Sequence, residues 1–287
     1  MPDKKTKLVK TSDPLVSVIV VNYKTKKITA DTISSILADK GLSLKAEDDK
    51  TQIEIILVDN NSEDDSVQFL RKKFRGKVTF ISAKRNIGFG PANNLAANQA
   101  RGTYLFFLNS DTLVQSNCIQ NLTHFLDHNP EYGVVSPTIY LKGLKNIQPA
   151  SFGKFPSLSR IIFRTSFMKR PKLNLSFTST ETDWVTGAAM MIPKDVYWAV
   201  GGFDSRYFMY FEDQDLCADI KKLGYKVAVV HNSSIVHLVG KSMKKGSAKT
   251  KIYDLSQEQF YLKHYGWFKT SLMIVLRWPW KLIRAVR

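Results

Sequence analysis

The sequence repeats one unit: an unbroken apolar run that ends in a cluster of Asn, Asp or Ser and is followed by a segment with helical spacing. LVSVIVVNY (residues 15–23) and IEIILVDNN (53–61) are runs rich in β-branched residues, the pattern of strands buried on both faces of a parallel sheet. Between them Ile33, Ile36 and Leu37 recur at helical spacing, and Thr29 reads as the cap of that helix. SEDDSVQFLRKKF begins acidic and ends basic, the charge order that a helix dipole favours. KVTFISA (77–83) reads as a third strand, PANNLAANQA (91–100) as a helix with Pro91 in its first turn, and TYLFFLN (103–109) as a fourth strand. Such alternation predicts an α/β fold, a Rossmann-like, mostly parallel sheet with flanking helices, whose ligands gather at the carboxyl ends of the strands.

Those ends are polar: Asn22-Tyr23, Asp59-Asn60-Asn61-Ser62, KRNIGFG (84–90) and Asn109-Ser110-Asp111. Each alone is ordinary turn chemistry. Four at successive strand ends make a site. After residue 140 the alternation stops, and residues 141–182, basic and rich in Ser and Pro, read as a long excursion that covers the site or meets a partner. DWVTGAAMMIP (183–193) reads as one strand with Gly187 inside it, a mark of close backbone or ligand approach. Leu216, Ile220 and Leu223 predict a helix from near Asp213 to Gly224, which puts Glu212 and Asp213 at its N-terminus. A strand KVAVV (226–230) follows, and His231 and His237 flank NSSIV.

Composition narrows the partners. The net charge of +17 favours anionic ligands. Residues 241–287 hold 11 Lys and Arg against 2 acids, so about half of the excess sits in the last sixth of the chain. That concentration, with neither zinc spacing nor an RNP-type motif, argues against a nucleic-acid-binding protein. Cys118 and Cys217 are far apart and unpaired in spacing, which suits a reducing compartment. The charged N-terminus MPDKKTKLVKTSDP lacks a signal-like apolar core, and the apolar run 272–276 is far short of the ~20 residues a bilayer needs. The expected location is cytoplasmic.

With these pieces in place, the chain resembles the family 2 glycosyltransferases of the GT-A fold, most closely their bacterial rhamnosyltransferase-like branch. The resemblance is carried by VSVIVVNY, VDNNSEDDS, NIGFGPANN, FLNSDTLV, WVTGAAMMIP, GGFDSRYFMYFEDQDLC and VVHNSSIVH, in the family's order, over residues 15 to about 240. It implies inverting transfer of a sugar from a nucleoside diphosphate to a hydroxyl, with Mg2+ or Mn2+ on the diphosphate. Residue by residue, it implies that Asp59 reads the pyrimidine base with Asn22, Asn61 and Ser62 nearby, and that Asn86, Gly88 and Asn93 flank the nucleotide and donor sugar. Asn109, Ser110 and Asp111 occupy the metal motif usually written Asp-x-Asp, and His237 matches a histidine that binds the metal in some members. Asp213 matches the catalytic base, with Glu212 beside it, and Trp184, Thr186 and Gly187 are assigned to the acceptor side.

The chemistry fits those roles. A hydroxyl attacks well only while a carboxylate takes its proton, and a helix N-terminus should lower the pKa of Asp213 and keep it ionised. A divalent metal that takes most of its ligands from diphosphate and water needs only one or two protein carboxylates, so Asp111 can suffice although Asn stands at 109. In the tail Arg277, Lys281 and Arg284 lie at i, i+4, i+7 with Trp278 and Trp280 between, the pattern of a helix lying on an anionic membrane. A C-terminal helix packed on the domain is the competing reading.

The expectation is therefore a flexible N-terminus (1–14), a catalytic domain (15–240, with a nucleotide-binding half 15–112 and an acceptor half 113–240) and a basic helical tail (241–287). The expected reaction moves L-rhamnose from dTDP-L-rhamnose to a polyprenyl-linked glycan, with the protein peripheral on the inner face of the membrane. UDP-linked galactofuranose, glucose or N-acetylglucosamine, an inactive scaffold, and a homodimer are left open.

Overall fold

The structure, a computed structural model, describes residues 15–45, 47, 50–156, 177–238 and 247–285, with side chains of the last run described over 249–277. The expected N-terminal segment 1–14 and the middle of the 141–182 excursion lie outside the described residues. In chain order the elements are β1 (Val16–Asn22), α1 (Lys26–Leu37), β2 (Leu42–Ser43), β3 (Thr51–Asp59), α2 (Ser66–Lys73), β4 (Thr79–Ser82), α3 (Phe89–Ala97), β5 (Tyr104–Asn109), β6 (Thr112–Val114) and α4 (Cys118–His128). Then come β7 (Tyr132–Leu141), β8 (Phe152–Gly153), β9 (Ser179–Thr182), β10 (Trp184–Val185), β11 (Ala189–Pro193), α5 (Lys194–Ala199), α6 (Glu212–Lys222), β12 (Lys226–His237) and α7 (Ser247–Ala285).

The apolar runs lack polar alternation because successive side chains enter two different cores. Val16, Val18 and Val20 pack with Ile33 and Ile36 of α1 and Ile119 and Leu122 of α4 on one face. Ile19, Ile56 and Phe107 pack with Ala92 and Ala96 of α3, Tyr197 of α5 and Leu216 of α6 on the other. Each such side chain stabilises the fold by about 1.5–3 kcal/mol through burial. Both cysteines are buried free thiols, as their spacing led us to expect, and burial pushes the Cys217 thiol up to about 12.

The sheet runs β2-β3-β1-β5-β11-β7-β12-β6, with β4 also on β3 and β9 on β12. Strands β4, β3, β1 and β5 are mutually parallel, and their register sets Asn22 beside Asp59 and Asn109 beside Val21. β11 runs antiparallel between β5 and β7, so its N-terminal end meets the carboxyl ends of the others, with Ala189 opposite Leu108. This arrangement is what brings residues 186–188 to the same edge as the four polar clusters.

Several sequence expectations are corrected here. α1 begins at Lys26, and Thr29 lies within its first turn, donating its hydroxyl to Asn22 Oδ1 at 2.8 Å instead of capping the helix. Residues 183–193 are two strands, because Thr186 turns away to donate its backbone N–H to Ser151 O at 2.8 Å. β12 continues past Val230 to His237, with a register shift between Val230 and Ser234.

The tail departs most from its sequence reading. α7 breaks at Gly266 (φ 79°, ψ 170°), a conformation open to glycine. Its first half packs on the domain through Phe260 and Tyr261, buried against Tyr207 and Phe211. Arg277 does not face outward: its guanidinium returns to Asp254 at 3.1 Å, Glu258 at 3.3 Å and Gln257. The side chains of Trp278, Trp280, Lys281 and Arg284 lie outside the described residues.

Candidate active site

A cavity of about 410 Å³ opens where the strand ends meet the N-terminus of α6. Its wall includes Asn109, Ser110 and Asp111 after β5, Asn86 and Gly88 before α3, Trp184, Thr186 and Gly187 before β11, and Glu212 and Asp213 at the start of α6. Most of the residues singled out in the sequence thus converge on one space.

Asn22, Asp59 and Ser62 lie behind that wall and tie the strand ends together. The Asp59 carboxylate accepts from Asn22 Nδ2 at 2.7 Å, Ser62 Oγ at 2.5 Å and Ser62 N at 3.0 Å. Asn22 Oδ1 in turn accepts the hydroxyls of Thr25 and Thr29. Asn93 is also buried outside the cavity wall and donates to Phe89 O, while Asn61 donates to Glu63 at the surface.

One residue of this region escaped sequence reasoning as a site residue. Asn60 lines the cavity, donates to Asn86 Oδ1 (3.0 Å) and Gly88 O (3.1 Å), and accepts Ile87 N–H (3.0 Å), so it fastens the 84–88 loop to β3. Gly88 is required here: its φ is +90°, and a Cβ would stand 2.4 Å from the backbone oxygen of Phe208.

At the opposite side of the sheet edge, His237 Nε2 lies 2.9 Å from Asp111 Oδ1 and its Nδ1 lies 2.6 Å from Gln148 Oε1. His231 turns away, its nitrogens meeting Thr180 Oγ1 and Phe177 O. Asp111 and His237, with the Asn109 amide in the same wall, form an oxygen and imidazole set that suits Mn2+ or Mg2+ taking its other ligands from a diphosphate. Among the described residues no group of three His, Cys, Asp or Glu is placed to hold a metal ion. Protein ligation alone is therefore sparse.

Asp213 is held rigidly. Gly187 N–H donates to its Oδ2 at 2.9 Å and Gln214 N–H to its Oδ1 at 2.8 Å, with the Thr186 hydroxyl also bonded to it. Thr186 and Gly187, assigned to the acceptor side, thus also position the carboxylate. Trp184 lines the cavity while its indole N–H donates to Lys154 O. The expectation that the helix dipole lowers the pKa of Asp213 is corrected: burial raises it, and the hydrogen bonds from Gly187, Gln214 and Thr186 only oppose that rise.

Glu212 is pushed up much further, by burial and by the neighbouring Asp213 carboxylate, and its Oε2 is buried without a partner. Backbone N–H donors on both oxygens favour the charge on Asp213, whereas Glu212, with its Oε2 unpartnered, favours the proton.

The segment before α6 is strained, since Tyr210 (φ 70°) and Phe211 (φ 67°) both occupy the left-handed region. It is gripped by α7: Ser256 Oγ donates to Met209 O, Phe260 stacks on Phe211 at 5.5 Å, and Tyr253 packs on both aromatics and lines the cavity. Lys263 of α7 reaches Asp215 and Asp219 of α6 at 2.7 Å each, and Asp204 at 3.2 Å. His264 Nε2 and Tyr207 Oη add 2.7 and 3.1 Å contacts to Asp215. No signal in the tail sequence ties it to the site, because a lysine in a basic segment reads as solvated.

Comparison with known proteins fits this geometry. Residues 17–201 match the family model described as Glycosyl transferase family 2. The chain is 29% identical over 163 residues to the rhamnosyltransferase WbbL of Escherichia coli K12, covering 52% of this chain and 60% of that protein, so it spans less than two thirds of that relative. It is 23% identical over 248 residues to the N-acetylglucosaminyl-diphospho-decaprenol L-rhamnosyltransferase of Mycobacterium tuberculosis, covering 78% of this chain and 80% of that protein. Among solved structures, GalNAc-T7 with UDP, GalNAc and Mn2+ superposes with a TM-score of 0.63 at 18% identity, covering 86% of this chain and 50% of that chain. Staphylococcus aureus TarS in complex with UDP superposes with a TM-score of 0.55 at 18% identity, covering 86% and 65%. At such identities the likeness is one of fold.

Proposed function

The chain belongs to glycosyl transferase family 2, with the GT-A α/β fold, and from that premise we propose that it transfers L-rhamnose from dTDP-L-rhamnose, with inversion, to a hydroxyl of a polyprenyl-diphosphate-linked glycan. The observation that carries the reading is Asp213, a half-buried carboxylate fixed by two backbone N–H groups in the wall of the cavity that also contains Asp111 and Asn109. The rhamnosyl donor and lipid-linked acceptor are supported by the two bacterial relatives.

In this reading Asp213 takes the proton of the attacking hydroxyl, and the raised pKa makes it a stronger base than a surface aspartate. Asp111, His237 and Asn109 would hold a divalent cation, which when bound neutralises charge on the departing nucleoside diphosphate. Asp59 reads the pyrimidine; its three internal donors fix its rotamer. Gly88, without a Cβ, leaves room for the strained aromatic turn that closes the site.

Contact with an anionic membrane is part of the proposal. Past the break, α7 exposes Trp267 (73%), Phe268 (67%), Leu272 and Val275 (67%), with Lys269 exposed on the same stretch. Among the described residues no helix is long and apolar enough to cross a membrane.

The test is a panel of dTDP-L-rhamnose and UDP-linked sugars, read as release of nucleoside diphosphate with added Mn2+ and after chelation. The expected result is acceptor-dependent release from dTDP-L-rhamnose that stops on chelation and returns with Mn2+. Preference for a UDP-sugar would reassign the donor, and no release from any donor would leave a non-catalytic scaffold.

A further inference from the structure

Next to the base stands a group that nothing in the protein satisfies. Gln214 lines the cavity and is only 9% exposed. Its Oε1 is buried without a hydrogen-bond partner. Buried side-chain amide oxygens are nearly always paired, so one left open in a cavity wall requires an explanation.

Position limits what the missing partner can be. The backbone N–H of Gln214 is bonded to Asp213 Oδ1 at 2.8 Å, so the amide is carried on the same first helical turn as the base. The base must meet the attacking hydroxyl from the side opposite the leaving group, whereas the Asp111 and His237 pair marks the diphosphate side. What lies against Gln214 is therefore acceptor. A primary amide offers one acceptor and two donors, and a sugar hydroxyl is itself both. Neighbouring ring hydroxyls match it at both ends.

We propose that Gln214 is an acceptor-binding residue whose amide pairs with a ring hydroxyl adjacent to the one that Asp213 deprotonates, an inference that rests on the transferase reading above. It explains why a polar side chain is buried unpaired beside the base: its partner arrives with the substrate. It also assigns Gln214 to acceptor selection, since an acceptor lacking that neighbouring hydroxyl leaves the amide unpaired in the complex.

The experiment compares the wild type with Gln214→Met, which keeps the length and removes the amide. A synthetic short-alkyl N-acetylglucosaminyl diphosphate serves as acceptor, and the donor is the sugar nucleotide the wild type uses. The expected result is a fall of about tenfold in kcat/KM for the acceptor, with the donor KM unchanged and a melting temperature equal to or above that of the wild type. Unchanged acceptor kinetics would overturn the proposal. So would a change confined to donor KM, or a drop in melting temperature that accounts for the lost rate. A wild type that transfers to no acceptor would instead remove the transferase reading itself, a distinct outcome.

Discussion

Asp213→Asn is expected to lower kcat by roughly 10²- to 10⁴-fold, the usual contribution of a positioned general base, while nucleotide binding persists. Both carboxylate oxygens accept backbone N–H groups, from Gly187 and Gln214, and an asparagine can offer an acceptor to only one of them. The variant should therefore also lose about 1–3 kcal/mol of stability, so circular dichroism and nucleoside diphosphate affinity must accompany the rate. Full turnover in a folded Asp213→Asn protein would displace Asp213 as the base.

Its neighbour should behave in the opposite way. Glu212 is held well above the ordinary carboxylate range by burial and by the Asp213 charge. An acid whose folded pKa is raised binds its proton more tightly in the native state. The stability this contributes is present below about pH 4.3, the ordinary glutamate value, and is lost as pH rises through the folded pKa. Glu212→Gln removes that loss, so its melting temperature should fall less than the wild type's as pH rises above about 4.3, the remaining slope coming from Asp213. An identical pH slope in both proteins would show that Glu212 is ionised in the native state.

The second large effect lies outside the cavity. Lys263→Met should cost about 2–3 kcal/mol, somewhat less than breaking a fully buried ion pair, because Lys263 keeps 21% exposure and Arg206 still serves Asp204. For a chain of this size the melting temperature should fall by about 5–10 °C, and kcat should fall with it, since α7 then grips the strained Tyr210 and Phe211 less firmly. Burial alone would lower the pKa of Lys263, but hydrogen bonds to Asp215 and Asp219 reverse the shift and raise it. Asp204 is lowered chiefly by its Arg206 hydrogen bonds, while in Asp219 those from Lys222 and Lys263 outweigh burial. The two aspartates contribute stability above about pH 3.9 and lose it as pH falls through their depressed values. Lys263 contributes below about pH 10.4 and loses its share as pH rises through its raised value. The deficit of Lys263→Met should accordingly be widest between those limits and shrink in acid. Wild-type stability in the variant at neutral pH would mean that the tail is not fastened by this cluster.

How far the sequence reaches depends on whether a feature is local. Strands β1, β3 and β5 are legible because residues buried on both faces must be apolar throughout, and their polar ends mark the sheet edge without any tertiary information. The Asp111, Asp213 and His237 positions follow from motifs in order. The antiparallel insertion of β11 is not legible, since an apolar run carries no direction, and it is this insertion that turns Gly187 onto Asp213. The direction of the Asp213 pKa shift is not legible, because the dipole can be read from a helix start, whereas burial cannot. The role of α7 is hidden for a similar reason: Lys263 finds three carboxylates, and Tyr253 finds the cavity, only after the chain folds back. Gln214 lies inside the FEDQDLC motif, but the motif assigns it no role.

In the proposed reaction Asp213 acts as a general base and the sugar is transferred in a single displacement. The decisive measurement is the anomeric configuration of the transferred sugar, read by NMR on the isolated product. The account requires the configuration opposite to that of the donor; a product that retains the donor's configuration would contradict it.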